Sequence, residues 1–128
     1  MNPVNRPLRA DERALLAFLL SADFPGRHEL RTQAETVIVT GECECGCGAI
    51  GLHVETGLPA ANVEKSIPIE AYADALDVLL FTRDGYLTSL EIVFYAQTPE
   101  RPYPRPEQLT LWARPRRPVG GVTTGQES

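Results

Sequence analysis

Long apolar runs are what this sequence most lacks. The longest near the start, residues 14–20 (ALLAFLL), falls far short of the roughly 20 residues that a membrane-spanning helix needs. Asp11 and Glu12 stand directly in front of it, where a secretory leader carries positive charge. Neither a membrane partner nor an export route is expected, and the expected setting is the thiol-reducing cytoplasm. Cysteine is scarce too. Cys43, Cys45 and Cys47 are an odd number with no C-x-x-C pair among them, so no structural disulfide is expected. No glycine-rich phosphate loop follows a strand, and Ser66, Ser89 and Asp84 form no nucleophile motif. No catalytic residue is assigned on these grounds.

Positive charge is thin over most of the chain. Residues 1–100 hold seven Lys or Arg against fifteen Asp or Glu, whereas residues 101–128 hold five against two. An acidic body repels phosphate backbones, which argues against nucleic-acid binding by the body and leaves only the basic tail for such contacts. What is present is ordinary for a globular domain. With 43% hydrophobic and 23% charged residues in 128, the chain can bury about 65% of its unfolded surface in one core.

Along the chain, RADERALLAFLLSADFPG places Leu15, Leu16, Leu19 and Leu20 at helical spacing, with Asp11 and Glu12 where the helix dipole favours anions. Phe24-Pro25-Gly26 ends that helix, and RHELRTQAE predicts a second, short one with Leu30 and Ala34 on one side. After Glu35 the period changes to two. TVIVTGECE and AIGLHVE form a hairpin around GCG, with Val37, Val39, Cys43 and Cys45 facing the core alongside Ile50, Leu52 and Val54. SIPIEAYA is a strand that Pro68 limits to a sheet edge or an irregular stretch, and LDVLLFTRDGYLTSLEIVFYA is a second hairpin turning at Asp84-Gly85. The expected architecture is α+β: two N-terminal helices on a mostly antiparallel sheet of about five strands, residues 1–98. Residues 99–128, which hold six of the eleven prolines, are expected to be an extended Pro/Arg-rich tail, anchored only by Leu109, Leu111 and Trp112 and disordered beyond Pro118.

The cysteines admit two readings. On a straight strand, residues two apart place their side chains about 7 Å from one another, more than two thiolates at about 2.3 Å from one ion comfortably span. The favoured reading is that Cys43 and Cys45 are small buried hydrophobes, with Cys47 in the turn and no cofactor. The alternative is a zinc or copper site at Cys43, Cys45 and Cys47, made possible by bending at Gly46 and Gly48. His53 faces away, beside Glu42, Glu44 and Glu55, a row that is the solvated side of the sheet before it is a cation site. Glu42 and Glu44 also raise thiol pKa values, which argues against a redox role. Elemental analysis with thiol titration separates the two readings.

A regular two-residue turn at Asp84-Gly85 pairs Arg83 with Tyr86, Phe81 with Thr88 and Leu79 with Leu90. Leu79, Phe81, Leu90, Ile92 and Phe94 then form the core face. The reverse face carries Val78, Leu80, Leu87, Val93 and Tyr95, too apolar to stay wet, and is the expected interaction surface for a homodimer or a protein partner, unless the tail covers it.

The pair CECGCGAIGLHV and VLLFTRDGYLTSLEIVFY resembles a family of small uncharacterised bacterial proteins with a C-x-C-G-C turn and a D-G-Y-L-(S/T)-x-L-E hairpin, over residues 8–100. The resemblance implies the fold and no activity. Eleven arginines to one lysine suit a GC-rich bacterial source.

Overall fold

The computed structural model describes residues 2–43, 48–55, 57–63, 65–95 and 104–113. Among these residues ten elements follow in chain order: β1 (Asn2–Pro7), α1 (Ala10–Leu19), α2 (Arg27–Ala34), β2 (Ile38–Glu42), β3 (Ile50–His53), β4 (Ile69–Ala73), β5 (Leu76–Arg83), β6 (Tyr86–Phe94), a short 3₁₀ turn (Pro106–Gln108) and β7 (Thr110–Ala113). The seven strands form one sheet in the order β1-β2-β3-β6-β5-β4-β7, every neighbouring pair antiparallel. The fold is α+β, with seven strands where the sequence suggested about five.

Both additional strands sit at the edges. β1 is polar and holds two prolines, so no alternation betrays it, and it is placed by pairing with β2. β7 lies in the proline-rich stretch and pairs with β4, so residues 104–113 belong to the body and the proposed boundary at residue 98 does not hold. β4 is consequently an interior strand. Pro68 is tolerated because it precedes the first ladder residue, Ile69. The tail beyond Pro118 lies outside the described residues.

The helices form as their spacing dictates. Leu15, Leu16 and Leu19 of α1 and Leu30 of α2 are buried against Val39, Ile69, Val78, Leu80 and Leu90, each such side chain contributing about 1.5–3 kcal/mol. Between the helices Gly26 adopts φ 91°, and a Cβ there would meet Val63 Cγ1 at 2.6 Å, so both backbone and space require glycine.

Of the three register shifts in the sheet, those in the β5–β6 and β2–β3 pairs decide which residues face this core. In the last hairpin Arg83 pairs with Tyr86 as expected, but then Thr82 pairs with Leu87 and Phe81 with Ser89, leaving Thr88 as an extra residue. The facing of everything before the bulge reverses relative to the regular hairpin. Val78, Leu80 and Leu87 are buried in the core, at 0%, 0% and 2% exposure, while Leu79 and Phe81 face the other way. The five residues assigned to one interaction surface therefore do not share a face: only Val93 and Tyr95 are exposed. The second bulge lies in β2, where Val39 pairs with Leu52, Gly41 with Gly51 and Glu42 with Ile50. It turns Glu42 toward the helices, breaking up the expected row of Glu42, Glu44, His53 and Glu55.

Candidate functional site

Each of these two bulges accompanies a buried polar group that ties a helix to the sheet. At the first corner Glu12 of α1, 2% exposed, accepts both Nη groups of Arg6 at 2.8 Å and the backbone N–H of Arg9 at 2.7 Å. Arg6 Nε donates to Glu42 at 2.7 Å, and Arg9 Nη2 reaches the same oxygen at 3.4 Å. Burial pushes the Glu12 carboxyl up, but the Arg6 hydrogen bonds, the Arg9 amide and the two positive charges outweigh it and hold the group below its ordinary value. At the second corner Gln33 of α2, fully buried, donates from Nε2 to the carbonyls of Pro59 (3.0 Å) and Gly85 (2.9 Å) and accepts the Leu87 N–H at 3.0 Å. Both corners are saturated with protein partners, which makes them structural anchors with no open position for a substrate.

The helices pack on one face of the sheet, and the opposite face is the surface that remains. Strand alternation and register place on it Tyr72 and Glu70 of β4, Asp77, Leu79 and Phe81 of β5, Ser89, Glu91 and Val93 of β6 and Trp112 of β7. Tyr72, Val93, Tyr95 and Trp112 are the large hydrophobic side chains most open to water among the described residues. The Tyr95 hydroxyl donates to the Asp77 carboxylate, and that hydrogen bond is the first cause of a phenol pKa raised above its ordinary value. Trp112, Glu70, Leu79 and Glu91 form one row across four strands, and Thr110, Tyr72, Asp77 and Val93 form the next. Aromatic and aliphatic surface thus alternates with the carboxylates of Asp77 and Glu91, while Glu70 on the same side is buried.

The face ends at two shallow clefts. One, of about 600 Å³ at the hairpin turn, is bordered by Val63, Lys65, Ser66, Phe81, Arg83 and Thr88. The other, of about 440 Å³, lies by the β4–β5 turn between Tyr72, Asp74, Leu76, Pro104 and Gln108. Of the hydroxyls on this side, Ser89 Oγ donates to Glu91 at 3.5 Å, and Thr88 Oγ1 to the Tyr86 carbonyl at 3.2 Å.

Of the proposed metal ligands, Cys45 and Cys47 lie outside the described residues. Cys43 is half-buried, and its N–H donates to the Ala49 carbonyl at 3.1 Å, continuing the β2–β3 ladder. Among the described residues no three His, Cys, Asp or Glu side chains come together in a way that could hold a metal ion. No described helix is long and apolar enough to cross a membrane.

The hairpin is legible in the sequence, with Leu90 and Ile92 inside and Val93 and Tyr95 outside as expected, but the facing of β5 and of Leu87 is the reverse of that expectation, and Tyr72, Asp77, Glu91 and Trp112 were not singled out. One signal was available. Leu87 and Leu90, three apart in a strand, cannot both be buried without an extra residue between them. Comparison with protein-family models, with curated proteins and with solved structures returned no match.

Proposed function

We propose that this chain is a non-catalytic binding domain of the bacterial cytoplasm whose working surface is the helix-free sheet face, and that its partner is a protein presenting a basic, extended segment. The observation that carries this reading is the composition of that face: carboxylates at Asp77 and Glu91 set among Tyr72, Leu79, Val93, Tyr95 and Trp112. Aromatic rings supply area at low entropic cost and attract guanidinium groups by cation–π contact, while carboxylates accept the same groups bidentately. A second copy of this chain suits the face less well, since two such faces would oppose their own carboxylates.

A synthetic peptide of alternating arginine and proline, titrated while Trp112 fluorescence is followed, tests the proposal. Saturable binding is expected, weakened by salt and lost in an Asp77→Lys/Glu91→Lys variant that keeps its fold. No binding at millimolar peptide, or binding indifferent to those two charge reversals, overturns it.

A further inference from the structure

The helix layer is not filled between α1 and α2. Arg13, Leu16, Ala17 and Leu20 lie along one stripe of α1 and its C-cap, Arg31, Ala34 and Glu35 along one stripe of α2, and both stripes border a single cleft of about 270 Å³. Neighbouring helices usually close such a seam by interdigitating larger side chains; here Ala17 is exposed, Ala34 is half-buried, and the space stays open. Leu8, Leu16 and Leu20, at 7%, 1% and 2% exposure, give the cleft an apolar lining.

Its rim is charged. Arg6, Arg9 and Arg105 are in ion pairs and Arg27 donates to the carbonyls of Ser21 and Ala22, so among the seven described arginines only Arg13, Arg31 and Arg83 have side chains without a hydrogen-bonded or ionic partner. Two of those three border this cleft. Glu35 borders it as well and is paired with neither, so the rim sets two guanidiniums against one carboxylate, on a body whose residues 1–100 hold fifteen acidic groups to seven basic ones. The rim is a local positive spot on an acidic surface.

We infer that this cleft binds a short-chain monocarboxylate, its alkyl chain against Leu16, Ala17, Leu20 and Ala34 and its carboxylate accepting hydrogen bonds from Arg13 and Arg31. Size sets the class of ligand: the volume lies just below the roughly 300 Å³ at which sites for drug-sized molecules begin, and at about 30 Å³ per water-sized group it suits a chain of about eight carbons. A protein partner would have to cover about 800 Å² of this surface, far more than such a cleft supplies. Charge sets the head group, since guanidinium forks match a carboxylate. The site lies in the helix layer, across the sheet from the acidic, aromatic face, and does not depend on it.

The test is an amide NMR titration of the full-length chain with millimolar sodium octanoate. Saturable shifts are expected at Leu16, Ala17, Ala34 and Glu35, with hexanoate about tenfold weaker for want of two buried methylenes, and no such shifts with octylammonium. Arg13→Gln/Arg31→Gln is expected to weaken octanoate about tenfold or more. Ala17→Leu fills the cleft from an exposed helical position with a good helix former, and is expected to abolish binding while the signals of the sheet stay in place. Absence of saturable shifts overturns the inference, as does equal binding of octylammonium or an affinity that either variant leaves unchanged. Equal shifts at Lys65 and Arg83, the cations of the hairpin cleft, would mark attraction of a carboxylate to any exposed cation and overturn it too.

Discussion

The two corners that tie the helices to the sheet use one device for two kinds of chemistry. Beside α1, the extra residue in β2 turns Glu42 inward to meet Arg6, and the bond across the corner is ionic. Beside α2, the extra residue in β6 accompanies a Leu87 N–H that goes to Gln33, and the bond is neutral. In both, a break in the ladder lets a helix share in it. The ionic corner answers to pH and to loss of a partner; the neutral corner fixes which residues of the longest hairpin face inward.

The sharpest way to break the ionic corner is Arg6→Met. It leaves the buried Glu12 carboxylate without its guanidinium, and a loss of about 3–5 kcal/mol is expected in chemical denaturation. A loss under 1 kcal/mol would mean that Glu12 is reached by water. At the neutral corner Gln33→Leu removes three hydrogen bonds and strands the Leu87 N–H in the core, for a loss of about 1–3 kcal/mol that does not vary with salt. Spectral evidence that the variant's hairpin has kept its bulge, with unchanged stability, would show that Gln33 follows the bulge without supporting it.

The next effect separates the corners by pH. The Glu12 carboxyl is held below its ordinary value, so its contribution is fully present above the unfolded-state pKa, about 4.3, and is lost as the pH falls through the lower folded value. Wild type and Gln33→Leu are expected to lose stability in parallel on acidification below about pH 4, and Glu12→Gln less steeply. Melting temperatures taken between pH 7 and pH 3 decide it; identical slopes for Glu12→Gln and wild type would place the acid sensitivity elsewhere. The smallest effect is that of Arg9→Ala. Its guanidinium is 63% exposed and lies 3.9 Å from Glu12, and a change of at most about 0.5 kcal/mol is expected. A larger loss would shift the weight of the corner from Arg6 to Arg9.

The sequence disclosed what depends on uninterrupted period and concealed what depends on interruption. Leu15, Leu16 and Leu19 announce α1 because nothing breaks their spacing, and Asp84-Gly85 announces the hairpin because its positive φ angles, 54° and 85°, need those residue types. Gly85 is further constrained by the Ala61 carbonyl, 2.5 Å from where a Cβ would stand. The facing of β5 depends on one extra threonine whose cause, Gln33, lies over fifty residues away. β1 and β7 owe their existence to the strands they flank and have little pattern of their own. The acidic, aromatic face could not be assembled until β7 and the bulge were both known, since one supplies Trp112 and the other brings Leu79 and Phe81 to the outside.

The placement of β7 also bears on how the protein is made. β4 ends at Ala73 and β7 begins at Thr110, so during translation the strand carrying the buried Ile69 and Ala71 is synthesised 36 residues before its outer neighbour. At roughly 5–20 residues per second this leaves an interior strand as a bare edge for about 2–7 s. Such an edge is a template for pairing with another nascent chain. The interval makes residues 110–113 the stretch whose late arrival covers that edge.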